Sequence, residues 1–464
     1  MTLATVDRYE PDRTSTLGDR AVVIGGSMAG LCAARVLADT FAEVVVLERD
    51  RLPTEPVGRT GAPQTSHPHA LLEAGRATLE DLFPGFGEDL LTDGGLLIDS
   101  GTDMEYYDQG GLVADTEAWL PTYCASRPLF EHVVRRQLRQ IENVRIQDNS
   151  QVLEYRTDDD ATAVTGVDFR NEDGDERTLD ATLTVDATGR TSRTPQWLDN
   201  HGYKAPPVDE VQVDVTYSTI QVERPPEDRR VLFVPPSPPR TRGGAVIPVE
   251  GDRWEVIIQG IHGDDAPTDP DGFARFVESL PVPALGRLVD QQSWVTDDID
   301  HYPYPSSRRH RYETLDRFPD GLVVTGDAIA SFNPIYGQGM SVAALDAVVL
   351  HEALTCGGVD DVAGRFFERS AEFIDVVWQI AVGADFAFPQ TTGPKPTGTD
   401  VSNWYLARLL RQAQTDPTLS EAFLRVLRLE EPPATLLRPN IAWRVLRPTV
   451  DQVRLPSLGR SVKG

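Results

Sequence analysis

Apolar positions along this chain fall into two periodicities. Near the N-terminus Ala21-Val22-Val23-Ile24 and Val44-Val45-Val46-Leu47 are short unbroken apolar runs, while residues 31–38 carry apolar side chains at helical spacing. Runs of that kind predict parallel strands buried on both faces. Gly25-Gly26-Ser27-Met28-Ala29-Gly30 lies between strand and helix, so residues 20–50 read as strand, tight turn, helix, strand. The spacing predicts further helices over residues 71–83 and from Ser126 onward. In the second, Ser126 is the N-cap, Pro128 lies in the first turn, and Leu129, Val133, Val134 and Leu138 form the stripe. Residues 92–122 read as short strands and loops.

Period two takes over downstream. Residues 144–185 alternate and are β-branched, with turn clusters at Thr157-Asp158-Asp159-Asp160 and Asn171-Glu172-Asp173-Gly174, which predicts a β-meander. Val211, Val213, Val215 and Tyr217 alternate with polar residues, as do Trp254, Val256 and Ile258 with Glu255, Ile257 and Gln259, although Ile257 interrupts the polar face. Either Trp254 and Tyr217 are simply core, or one sheet face floors a pocket, and the pattern leaves both open. A last apolar strand at residues 321–325 runs into Gly326-Asp327-Ala328, then Asn333-Pro334-Ile335-Tyr336-Gly337-Gln338-Gly339-Met340 and an apolar helix over 341–353. Beyond Gly357 the pattern is helical. Leu406, Leu409, Leu410 and Ala413, then Phe423, Val426 and Leu427, form stripes that fit a packed cap better than a membrane face.

The first turn carries candidate chemistry. Gly25 permits the tight turn, Gly30 lets helix and strand pack closely, and the free N–H groups at the helix start suit a pyrophosphate. Ser27 replaces the second glycine of the G-x-G-x-x-G pattern, and Glu48 stands where a carboxylate accepts from an adenosine ribose. The alternative is an ordinary Gly-rich turn. Arg127 opposes its helix dipole, which leaves a solvated charge or an anionic ligand as readings. The loop before residue 341 repeats the logic of the first turn, and its helix start could stabilise negative charge on a reduced ring cofactor. His67 and His69 have no third ligand near them in sequence, so no metal is expected.

Composition narrows the function classes. The 464 residues imply two or three substructures, and no apolar run approaches the ~20 residues of a membrane span. Residues 1–18 are polar and read as a loose tail, not a secretory signal. Cys32, Cys124 and Cys356 are scattered, which fits a reducing, cytoplasmic setting without disulfides or zinc. The net charge is −28, with lysine only at 204, 395 and 463, so nucleic acid is not an expected partner and a high-salt, halophilic cytoplasm is.

Three separated motifs then agree. Residues 25–30 with Glu48, Asp186-Ala187-Thr188-Gly189, and Gly326-Asp327-Ala328 with Pro334 to Gly339 resemble, in order and spacing, the FAD-dependent class A monooxygenases of the p-hydroxybenzoate hydroxylase fold. The nearest likeness is to the epoxidase/hydroxylase branch, through Gly-Gly-Ser-x-Ala-Gly, His-x-His-Ala and Asn-Pro-x-Tyr-Gly. The resemblance spans about residues 19–350. It implies an α/β fold: a Rossmann-type FAD-binding domain (19–195 and 305–358), an inserted sheet-rich substrate domain (196–304) and a C-terminal helical region (359–464).

Carried over by position, the resemblance puts the turn Gly25, Gly26, Ser27, Met28, Ala29 and Gly30 at the FAD pyrophosphate, and Glu48 with Arg49 at the adenosine. Arg127 matches the family's cofactor-contacting arginine. Gly326 and Asp327 would meet the ribityl or pyrophosphate part, and Pro334, Gly337, Gln338, Gly339 and Met340 the isoalloxazine. Asp186 opens a departure, because Ala187 and Thr188 stand before Gly189 where aromatic hydroxylases place glycine directly after the aspartate. No second G-x-G-x-x-G is present, so NAD(P)H is expected to bind transiently at the flavin face. The implied reaction is hydroxylation or epoxidation of a hydrophobic small molecule with O2, through a flavin hydroperoxide, with no catalytic side chain assigned. The runner-up is an FAD-dependent reductase of prenyl lipid double bonds, for which peripheral membrane contact stays open. A halogenase lacks its paired-tryptophan motif here, since Trp254 stands alone, and a non-catalytic flavin-binding protein would not need so open a loop over 333–340.

Overall fold

The computed structural model describes residues 5–11, 15–296 and 298–447. Its organising layer is a five-stranded sheet in the order Leu322–Val324, Leu183–Asp186, Gly18–Ile24, Phe41–Leu47, Val144–Gln147. Every neighbouring pair in it is parallel. Val144–Gln147, whose alternation suggests the start of the meander, instead extends this sheet beside Phe41–Leu47. The meander proper is Gln151–Thr157, Val164–Arg170 and Glu176–Asp180.

The unbroken apolar runs are explained by what covers each face. Ala21 and Val23 face a core shared with the helices Met28–Leu37, Arg127–Leu138 and Gly339–Gly357. Val22, Ile24, Val45 and Leu47 face Val167 and Phe169 of the meander. Both faces are dry, so neither alternates.

A second, eight-stranded sheet runs in the order Ala330–Ser331, Asp300–His310, Val208–Glu223, Arg253–Gly260, Arg242–Val249, Val231–Val234, Met104–Asp108, Gly111–Leu112. It therefore draws strands from before residue 196 and after residue 304. Trp254, Val256 and Ile258 are buried with Ile220 and Val222 beneath the helices Pro270–Glu278 and Pro283–Gln291. The opposite face looks into the molecule. The C-terminal helices Thr399–Ala413, Pro417–Leu427 and Pro439–Leu446 close a third core with Tyr106, Val113 and Leu120. The last positions of this helical region, 448–464, lie outside the described residues.

Helix Gly339–Gly357 is long and apolar enough to cross a membrane by length and composition alone, and 78% of its most apolar 18-residue stretch is buried inside this molecule, where it is a core helix. One expectation needs correction, the loose N-terminal tail, of which 1–4 and 12–14 lie outside the described residues. Over 5–11 it is anchored: Val6 and Tyr9 are buried, the Tyr9 hydroxyl bonds Asp39, and Arg8 pairs with Asp81. Tyr9 also meets His351 edge-on at 4.9 Å. Tyr9→Ala should therefore destabilise the protein by about 3 kcal/mol in urea unfolding; a loose tail would leave the midpoint unchanged.

Candidate functional site

Parallel register brings the three motifs to one place. Ile24 sits beside both Leu47 and Asp186, and Asp186 beside Val324, so the strands end together. The segments that follow (Gly25 onward, Glu48, Ala187 onward, Gly326-Asp327) converge on a cleft of about 540 Å³. Gly25, Ser27, Met28, Ala29, Glu48, Arg49, Arg127, Asp186, Asp327, Gly339 and Met340 all line it. Gly26, Gly30 and Gly326 support the wall from behind. A Cβ on Gly30 would stand 1.9 Å from the Gly25 carbonyl oxygen, so helix and strand could not close with any side chain there. Gly326, at φ +66°, would push a Cβ to 2.7 Å from that of Ala29.

Glu48 is buried and already organised: Oε2 accepts from the Gly26 N–H at 2.8 Å and Oε1 from the Asp50 N–H at 3.0 Å. Two residues that sequence reasoning missed complete this end. Arg59 bonds Asp50 at 2.8 Å and lies 3.3 Å from both Glu48 and Glu131. Glu131 accepts from Ser27 Oγ at 2.8 Å and pairs with Arg127 at 3.4 Å and Arg135 at 3.6 Å. Glu131 was findable, one helical turn after Arg127. Arg59 lies in an irregular loop with no local signal.

The cleft suits a dinucleotide diphosphate on two counts. The first turn of Met28–Leu37 carries no acid, and Ser27 makes no capping bond, so its leading N–H groups stay open. Arg127 is buried, holds Ser27 Oγ at 3.0 Å, and keeps a buried Nε without a partner. Asp186 lines the cleft and also shapes the turn that follows it. Its oxygens accept from Thr188 N–H and Oγ1, Ser192 Oγ and Thr194 Oγ1 at 2.6–2.9 Å, so it holds the 186–194 turn in shape.

A second cavity of about 590 Å³ shares Arg49, His69, Gly189, Asp327, Gly339 and Met340 with the first, so the two form one bent space. Pro334, Gly337 and Gln338 line this part. Gly337, at φ +65°, brings the loop against Ala70, where a Cβ would approach to 2.9 Å. Gln338 is buried, and neither of its amide atoms has a hydrogen-bond partner within the protein. Asp327 opens onto the cleft within surrounding protein. Burial raises its carboxyl above the ordinary range, against the pull of Arg127 and Arg190.

The sheet face left open in the sequence resolves by residue. Tyr217, Ala245, Ile247, Ile257 and Gln259 line the second cavity, and Trp254 is core. Ile257 breaks the polar alternation because its neighbour is this cavity and not bulk water. His67 and His69 also line it, held neutral by burial, which pushes them down to about 4 and about 3. His67 Nδ1 bonds Thr219 Oγ1 and His69 Nδ1 bonds the His67 carbonyl, each at 2.8 Å. Among the described residues no three metal-ligating side chains cluster.

Two buried carboxyls fasten the loops at 325–326 and 333–336 from helices further along. Asp346 accepts from the Gly326 N–H at 2.8 Å and the Thr325 hydroxyl at 3.2 Å. Asp385, from helix Val362–Asp385, accepts from Asn333 Nδ2 at 2.8 Å and the Tyr336 hydroxyl at 3.0 Å. Burial pushes each up to about 7, and Glu255 in the sheet to about 8. A folded-state value above the unfolded one, near 4, gives stability that is full below about pH 4 and lost as pH rises through about 7 to 8. The neutral histidines act oppositely below about pH 6.5, so a variant must be compared with its parent. Asp385→Asn should lose less melting temperature than the parent between pH 5 and 8.5; equal losses would contradict the shift at Asp385.

Comparison with known proteins agrees with this geometry. Residues 20–357 match the family described as "FAD binding domain". Protein Rv3254 of Mycobacterium tuberculosis is 34% identical over 422 residues, covering 88% of this chain and 89% of that protein. Among solved structures, the flavin-dependent brominase Bmp2 aligns with a TM-score of 0.63 at 18% identity, over 89% of this chain and 94% of its own. The p-nitrophenol 4-monooxygenase PnpA from Pseudomonas putida aligns at 0.61 and 19%, over 90% and 100%. At such identities these two likenesses establish the shared fold. The chain belongs to the FAD-binding-domain family and binds FAD.

Proposed function

We propose that this protein is an FAD-dependent monooxygenase that hydroxylates or epoxidises a hydrophobic small molecule, drawing on NAD(P)H and O2. The observation that carries this reading is the bent space itself. A dinucleotide-sized arm runs past Gly25, Glu48 and Arg127, and opens at Gly337 to Met340 into a chamber with a largely apolar lining.

Bound FAD supplies the electron transfer and oxygen activation, which no side chain here could provide. This chain binds, orients and excludes water. Arg127, Ser27 and the open N–H groups at Met28 would hold the diphosphate, while Glu48, fixed by the Gly26 N–H and Arg59, would receive the ribose hydroxyls. Gln338 and the Gly337 backbone would lie against the ring, and the start of helix Gly339–Gly357 would favour negative charge on it. Neutral His67 and His69 add no competing charge. Ile98, Phe233, Ile247, Ile257 and Phe332 keep the chamber dry and suit an apolar substrate.

The decisive assay supplies isotopically labelled O2 to the FAD-loaded, NAD(P)H-reduced protein with a panel of alkenes and phenols. One labelled oxygen atom per product is expected. Unlabelled saturated product from a prenyl chain would replace this reading with reduction, and a halide-dependent product with halogenation.

The net charge of −28 with three lysines supports a salt-rich cytoplasm as the working environment, as do three thiols left free, two of them buried. Melting temperature should climb by several degrees from low to molar KCl. Full stability without salt would sink the halophilic part.

A further inference from the structure

The floor of the chamber carries two hydroxyl groups that the protein itself leaves unused. Tyr217, on strand Val208–Glu223, and Tyr302, on strand Asp300–His310, are register partners on one face of the eight-stranded sheet. Their rings stand 5.7 Å apart and 35° from parallel, so the two phenols rise side by side. Both line the chamber, and neither lines the cofactor arm. Among the described residues neither hydroxyl has a hydrogen-bond partner, and neither is sealed from the cavity. Tyr304, two positions along, differs: its hydroxyl lies 3.4 Å from both Arg190 and Ser331.

The surroundings fix what such a pair can meet. His67 packs edge-on to Tyr217 at 4.6 Å and to Tyr302 at 6.3 Å, while its Nδ1 is taken by Thr219 Oγ1. It braces both rings without using either hydroxyl. Burial, with Tyr302 and Tyr304 close by, holds the Tyr217 phenol above its ordinary range, so it stays an O–H donor. The next row of this sheet face is Thr219, Ile257, Ala245 and Phe233, in register across four strands. The last three are apolar and line the chamber, and the Thr219 hydroxyl is already spent on His67. A tyrosine hydroxyl inside a protein ordinarily finds a partner, so an unpartnered pair beside an apolar row calls for a ligand with one polar atom and an apolar body. Two O–H donors on one side match an oxygen with two lone pairs and no hydrogen of its own, a carbonyl.

We propose that Tyr217 and Tyr302 are substrate-specificity residues that together hold a carbonyl oxygen of an otherwise apolar substrate, whose body lies on Ile257, Ala245 and Phe233. This deepens the monooxygenase reading and rests on it for the chamber being the substrate's.

The test reads binding and a vibrational signature, not turnover. Affinities of FAD-loaded protein for 2-acetylnaphthalene and for 2-ethylnaphthalene, in which CH2 replaces the carbonyl, are measured by calorimetry. The parent is compared with Tyr217→Phe, Tyr302→Phe and the double variant, each substitution keeping the ring and removing one donor. Affinity for the ketone should fall roughly three- to tenfold per hydroxyl, the range of one neutral hydrogen bond, while that for the hydrocarbon holds. The infrared carbonyl stretch of isotopically labelled ketone should move to lower frequency on binding to the parent, and return toward its apolar-solvent position in the double variant. Variants that weaken both ligands equally, a stretch that does not shift, or a ketone that fails to bind would overturn the proposal. So would a loss of FAD affinity in the variants, which would assign the hydroxyls to the flavin ring's own carbonyls. Ketone-selective binding without labelled oxygen in any product would instead sink the monooxygenase reading and leave the tyrosine pair standing.

Discussion

Everything in the site depends on how closely helix Met28–Leu37 lies on the strand before it. Gly30 leaves 1.9 Å between a would-be Cβ and the Gly25 carbonyl, so no other residue allows that approach. With it, the helix start is placed directly at the ends of the parallel strands, where its open N–H groups and dipole meet the cleft. Parallel register then does the rest, since Ile24, Leu47, Asp186 and Val324 finish side by side and deliver their following loops to one edge.

Charge is handled by enclosure in pairs. Arg59, Arg127 and Arg135 surround Glu131, and Arg59 reaches on to Glu48 and Asp50. Breaking any one partner would strand a buried charge, so the cluster fixes geometry more than it adds stability. What it fixes is the cleft wall: Ser27 and Arg127 are both tethered to the same carboxylate. Arg428 departs from this pattern, being buried but only half satisfied.

The loops that face the chamber are not self-supporting. Asp346 grips the Gly326 turn and Asp385 grips Asn333 and Tyr336, each from a helix beyond its loop. Both carboxyls are held high by burial, so loop attachment and protonation are coupled in the same groups. The C-terminal helices are thus part of the site's frame, through Asp385 and through Leu427 and Arg428 in the chamber wall.

The sequence by itself determined the parallel layer, the Gly-rich turn, the capped helix at Ser126 and the family, because each rests on contacts between near neighbours or on a spacing the backbone repeats. The residues it singled out at these motifs, Gly25, Ser27, Glu48, Arg127 and Asp327, all line one cleft. It did not determine which face of the large sheet is floor and which is core, nor that Val144–Gln147 joins the parallel layer. Only tertiary structure brought Arg59 to Glu131, Asp385 to Asn333 and Arg428 to Glu73, across 72, 52 and 355 residues. Side-chain pairs at such separations leave no periodic trace. Their energy comes from the desolvated position that folding gives them, and not from the local chain.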